Sequence, residues 1–159
     1  MTDSFDGPVR REEVGVLGLP ESVRHHSIRG ASLVDIDSGR LLTQESGRWT
    51  SRFVTRFLSF ADFWIESTYV LAGGRAYGIW SDSKGLRASA PLIGSRRRFN
   101  DGTVERNGFL VVGTMNLGKS DFRNRLFFMN EISTRPVLDD GLGLSNGVVC
   151  VPTSGDLFF

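Results

Sequence analysis

The sequence predicts an all-β, antiparallel barrel of about eight strands behind an extended N-terminal arm, and three features carry that expectation. From Arg29 onward, short segments alternate apolar and polar residues with period two. They are rich in Val, Ile, Phe, Tyr, Trp and Thr, the residues that suit a pleated, half-buried surface. Gly, Asn, Asp and Ser separate them at intervals of roughly 8 to 12 residues, the spacing of a sandwich or barrel. Alternation alone does not distinguish those two architectures. Barrel closure has the advantage of removing the edges that so apolar a sheet would expose, and about eight strands suffice to enclose a small ligand.

In chain order, residues 1–28 are polar and irregular, with Pro8 and Pro20, and only Val14 to Leu19 is apolar. This arm reads either as a loose tail or as a lid over a pocket mouth. Residues 29–159 form the single barrel domain. Ser32 to Ile36 begins it, and Asp37-Ser38-Gly39 turns the chain. Gly47 to Phe60 places Trp49, Phe53 and Phe57 on one face and Arg52, Val54 and Arg56 on the other. Phe63 to Leu71 repeats the pattern with Ile65 and Tyr69, and Gly73-Gly74 offers positive-φ residues for a hairpin back through Arg75 to Trp80. Leu86 to Ile93 is a further strand. Asn100-Asp101-Gly102 reads as a hairpin turn between Ser95–Phe99 and Thr103–Arg106, and Asn107-Gly108 precedes the apolar strand Phe109 to Met115. Arg123 to Ile132 is favoured as a strand over a short helix, and Gly147 to Val151 is the last strand before Leu157-Phe158-Phe159.

Length and composition fit one globular core: 159 residues, 40% apolar and 23% charged, with a formal charge of +1. Seventeen Arg and two Lys (Lys84, Lys119) make up the 19 basic residues, and the densest run is Arg96-Arg97-Arg98. Together with Arg52, Arg56 and Arg87 that run suggests a basic outer face for phosphate or RNA. The near-neutral total and the lack of an RNA-binding or phosphate-loop motif argue against nucleic acid. Cys150, the sole cysteine, excludes an internal disulfide. Met1 to Pro20 lacks the apolar core of a signal peptide, and no run reaches membrane-spanning length, so a cytoplasmic location is expected.

Two resemblances add to this reading. Ser46-Gly47-Arg48-Trp49 resembles the Gly-x-Trp signature of lipocalins, whose tryptophan plugs the closed end of a ligand-binding barrel. Gly74-Arg75-Ala76-Tyr77-Gly78, then Phe99-Asn100-Asp101-Gly102-Thr103, then Asn107-Gly108-Phe109-Leu110-Val111-Val112-Gly113 resembles the middle of dirigent and allene oxide cyclase barrels. Tyr77 stands where those families carry Gln, and their later hallmarks are absent. The resemblance implies a cofactor-free barrel that folds a reactive apolar molecule before it cyclises or isomerises.

Catalysis by substrate preorganisation needs apolar walls and a few aimed donors. Trp49, Phe53, Phe57, Tyr69, Tyr77 and Met115 are the ligand-binding candidates; Tyr77, Tyr69 and Glu66 are the catalytic ones, Glu66 as a buried acid if its strand face is inverted. His25 and His26, adjacent and facing opposite ways, leave no metal set with Cys150, so neither metal nor cofactor is expected. The partner reading is a hydrophobic small molecule, with a homodimer as an option; Phe158-Phe159 is expected to pack on the domain or on a neighbouring subunit. A structural subunit of a larger assembly and a nucleic-acid-binding β domain are the alternatives.

Overall fold

The computed structural model describes residues 15–27, 30–65, 68–105, 108–118, 124–130, 134–151 and 153–159, and they contain strands and turns with no helix. β1 (Pro20–His26), β2 (Gly30–Asp35), β3 (Arg40–Glu45) and β4 (Arg48–Phe53) form one antiparallel sheet in sequence order. β5 (Leu58–Ile65), β6 (Thr68–Gly73), β7 (Ala76–Ser81) and β8 (Gly85–Ala88) form a second. β9 (Arg97–Val104), β10 (Leu110–Asn116), β11 (Asn124–Met129) and β12 (Thr134–Leu142) form a third. β13 (Val149–Cys150) and β14 (Leu157–Phe158) pair alone.

Period-two alternation here feeds two cores instead of one. The second sheet lies between the others. On one face Leu58, Ala61, Leu71 and Trp80 pack against Val34, Ile36, Leu41 and Val54. On the other, Phe60, Val70 and Ala72 meet Phe99, Leu110, Val112, Phe127 and Met129. A smaller core of Val111, Leu126 and Val148 seats the β13–β14 pair on the third sheet. The first strands β1, β5 and β9 are mutual neighbours, and each sheet steps outward from them in sequence order. The interior strands β6 and β10 are buried along most of their length, whereas β4 and β8, each last in its sheet, hold no buried residue.

The single closed barrel of about eight strands is therefore corrected to separate antiparallel meanders. Alternation specifies that a strand has two faces, but not whether both are buried against neighbouring sheets. The predicted strand Gly47–Phe60 divides between β4 and β5. At the break, Val54 N–H donates to the Gly39 carbonyl at 3.0 Å, and Phe57 takes φ 56°, outside the extended range. Pro20–His26, part of the arm in the sequence reading, is the first strand. The hairpin at Gly74-Arg75 forms with Gly74 at φ 53°, and residues 124–129 form the strand expected there.

Asn100-Asp101-Gly102 is corrected from a turn to the middle of β9. Asn100 Nδ2 donates to the Ser145 carbonyl at 2.8 Å, and the Gly147 amide donates to Asp101 Oδ2 at 2.8 Å, so the polar pair bridges two elements. A Cβ on Gly102 would stand 2.6 Å from the Val111 carbonyl oxygen. Close approach, not a positive φ, requires glycine there.

Candidate functional site

The segments at one end of the sheets enclose a cleft of about 370 Å³, within the range of small-molecule sites. Leu19 leads into β1, Ile36 and Asp37 lie in the β2–β3 turn, and Phe57 leads into β5. Gly74 and Arg75 form the β6–β7 turn, Ser95 precedes β9, Arg97 and Arg98 begin it, and Leu117 follows β10. Backbone hydrogen bonds stitch these pieces together. Gly74 N–H donates to the Phe57 carbonyl at 3.0 Å, Phe99 N–H to the Gly74 carbonyl at 2.8 Å, and Leu117 N–H to the Arg96 carbonyl at 2.8 Å. The lip is thus continuous from the first strand of the second sheet to the third sheet. Phe57 presents a ring that is 54% exposed from its left-handed backbone, a strain that persists only where surrounding contacts impose it.

Asp35 fastens the opposite wall. Its carboxylate accepts from Leu19 N–H at 2.8 Å, Gly18 N–H at 3.3 Å and the Ser38 hydroxyl at 2.6 Å. Burial pushes this carboxyl up, but those hydrogen bonds outweigh it and hold the group below its usual range. Arg98 is half-buried; desolvation lowers its pKa while Glu21 and Asp37 act in the other direction. Among the described residues, Arg75, Arg97 and Arg98 form no ion pair.

Between the three first strands the chemistry differs. Arg24 of β1 stands 3.2 Å from Asp101 Oδ1 of β9 and 3.8 Å from Asp62 Oδ2 of β5. It also donates to the Gly102 carbonyl and lies 5.3 Å from the centre of the Phe60 ring. Desolvation raises the Asp62 pKa, with Arg24, the Phe63 amide and His26 opposing. Among the described residues, no three His, Cys, Asp or Glu side chains form a metal-holding group, and no helix is long and apolar enough to cross a membrane.

The residues singled out from sequence are dispersed. Tyr69 packs toward the core shared with the first sheet, 6.0 Å from the Trp80 ring. Tyr77 lies on the opposite face of the same sheet, its hydroxyl donating to the Asn130 carbonyl at 3.1 Å. Trp49 is half-buried on β4 with its indole N–H unpartnered, and Phe53 is 60% exposed. Met115 is half-buried on β10, in register with Arg98. Phe57 alone among the candidates lines the cleft, and Glu66 falls outside the described residues. The run Arg96–Arg98 was the available signal for the basic wall. Asp35, Arg75 and Arg24 carried none, because their roles depend on contacts distant in sequence.

A profile of the SMP-30/gluconolactonase/LRE-like region matches residues 19–159. No curated protein matches significantly. Among solved structures, a luciferin-regenerating enzyme aligns with 85% of this chain and 50% of its own, at a TM-score of 0.74 and 16% identity. Regucalcin from Agrobacterium tumefaciens strain C58, described as a calcium-binding protein, aligns with 78% of this chain and 44% of its own, at a TM-score of 0.69 and 21% identity. The chain spans about half the length of both, and at these identities the likeness speaks for the fold. These matches overturn the dirigent and allene oxide cyclase resemblance. The lipocalin-like barrel and the cofactor-free, biosynthetic cyclase or isomerase fall with it. The stretch from Gly74 to Gly113 comprises a hairpin of one sheet and two strands of another. Short glycine and aromatic motifs in that order are common to unrelated antiparallel folds.

Proposed function

We propose, because the chain belongs to the SMP-30/gluconolactonase/LRE-like family, that its meanders are consecutive blades of a β-propeller and that the cleft is part of a site hydrolysing a small lactone. Four-stranded sheets arranged radially around their first strands are the blade pattern of propellers, and β1, β5 and β9 occupy that inner position. The observation that carries the reading is the family match over the same residues that build the cleft.

Hydrolysis adds water to the lactone carbonyl, breaks the ring C–O bond and releases a hydroxy acid. Negative charge gathers on the carbonyl oxygen, where a partly desolvated guanidinium is most effective, and Arg98 supplies one. Asp37, a carboxylate lining the same cleft, would accept the proton of the attacking water. The regucalcin neighbour is described as calcium-binding. The described residues do not gather a corresponding cation site, since Asp62 and Asp101 are engaged by Arg24, and the roles given to Arg98 and Asp37 need none.

Proton release from D-glucono-1,5-lactone at constant pH, with and without added calcium, tests this reading. Turnover above the spontaneous rate, reduced about 10²-fold in kcat/KM by Arg98→Met, is expected on the scale of losing one oxyanion donor. A wild-type rate equal to background under both conditions overturns it for this lactone.

A further inference from the structure

We propose that the cleft recognises an anionic small molecule, through a carboxylate or phosphate group held by Arg75 and Arg97 and an apolar portion packed on Phe57 and Leu117. The inference concerns ligand class and deepens the reading above, because it rests on the same cleft. Three guanidinium groups line a volume of about 370 Å³ against one carboxylate, that of Asp37. Asp37 and Glu21 act electrostatically on Arg98, whereas Arg75 and Arg97 have no carboxylate of the described residues within ion-pair distance. Two arginines that line one cavity without a carboxylate partner offer donors to an anion, which a guanidinium binds in bidentate fashion.

The remaining wall is apolar. Leu19, Ile36, Phe57 and Leu117 line the cleft together with the arginines, and Phe57 and Leu117 are 54% and 61% exposed. A hydrated inorganic ion would leave these side chains uncovered, so the surface suits an anion carried on an apolar or aromatic body. The two arginines are held from different sheets, Arg75 in the β6–β7 turn and Arg97 at the start of β9. The bond from Phe99 N–H to the Gly74 carbonyl ties those segments together, so the separation of the two backbones is set before the ligand arrives and only the side chains remain to be ordered.

Calorimetric titration of the intact chain with inorganic phosphate, phenyl phosphate, benzoate and neutral D-glucono-1,5-lactone tests the proposal at two salt concentrations. Phenyl phosphate or benzoate is expected to bind at least tenfold more tightly than inorganic phosphate, and which of them binds decides between the two anionic groups. The double variant Arg75→Met/Arg97→Met should weaken that binding at least tenfold, Phe57→Ala several-fold, and Arg87→Met, on the exposed β8, not at all. Equal affinity in wild type and the double variant, or no binding of either aromatic anion, overturns the proposal. Anion binding without lactone turnover would retire the hydrolytic reading for this lactone and leave this one standing; turnover of the neutral lactone without anion binding would do the reverse.

Discussion

Arg24 and the pair Arg75 and Arg97 are the same side chain in opposite circumstances. Arg24 contacts two carboxylates, a carbonyl and an aromatic ring, contributed by β5 and β9. Arg75 and Arg97 line the cleft and form no ion pair with a carboxylate of the described residues. A guanidinium whose donors are used within the protein is part of its architecture, while one held by its backbone with donors unused is available to a ligand. The Arg-rich composition alone cannot assign either role, because it records side chains and not their partners.

The largest expected effect comes from breaking the saturated cluster. Arg24→Met should destabilise the protein by about 2–4 kcal/mol, because Asp62 and Asp101 are left partly buried without their counter-charge. Urea unfolding measures it, and Arg24→Lys, which keeps the charge but loses the fork, should fall between. If Arg24→Met proves neutral, the cluster is not structural. Asp35→Ala ranks next, at about 1–3 kcal/mol, since two amides at the entrance to β1 and the Ser38 hydroxyl of the β2–β3 turn lose their acceptor.

The smallest expected effects are pH dependences, and the two carboxylates differ in sign. Asp35 titrates below its unfolded value near 3.8 in the fold. Its contribution is therefore present above that pH and lost as pH falls through the lower folded value. Asp62 titrates above 3.8 in the fold, so its contribution is full below that pH and declines as pH rises through the folded value. Asp62→Asn should abolish the decline above pH 3.8 and leave the acid limb unchanged. Unfolding curves across an acid pH series check both.

Much of the strand content was legible, because alternation and the Gly74 turn are local. The assembly of strands was not. Leu71 and Val70 are neighbours in sequence yet belong to different cores; a continuous apolar run of that kind signals a strand covered on both faces, but it does not say by which elements. Asn100 and Asp101 carried the composition of a turn, but their side chains are satisfied by the 145–147 segment and by Arg24. The cleft was half visible: Arg97 and Arg98 stood out as a run and Phe57 as an aromatic, whereas their meeting depends on contacts among three sheets.

Thermal unfolding of Arg24→Met beside Arg75→Met/Arg97→Met tests the division of roles most directly. The first should melt about 5–15 °C below wild type, from the loss of about 2–4 kcal/mol in a chain of this size, and the second within about 2 °C of it or above, since removing two unpaired cations breaks no ion pair among the described residues. Equal depressions in both variants, or a larger one in the double variant, would contradict the account.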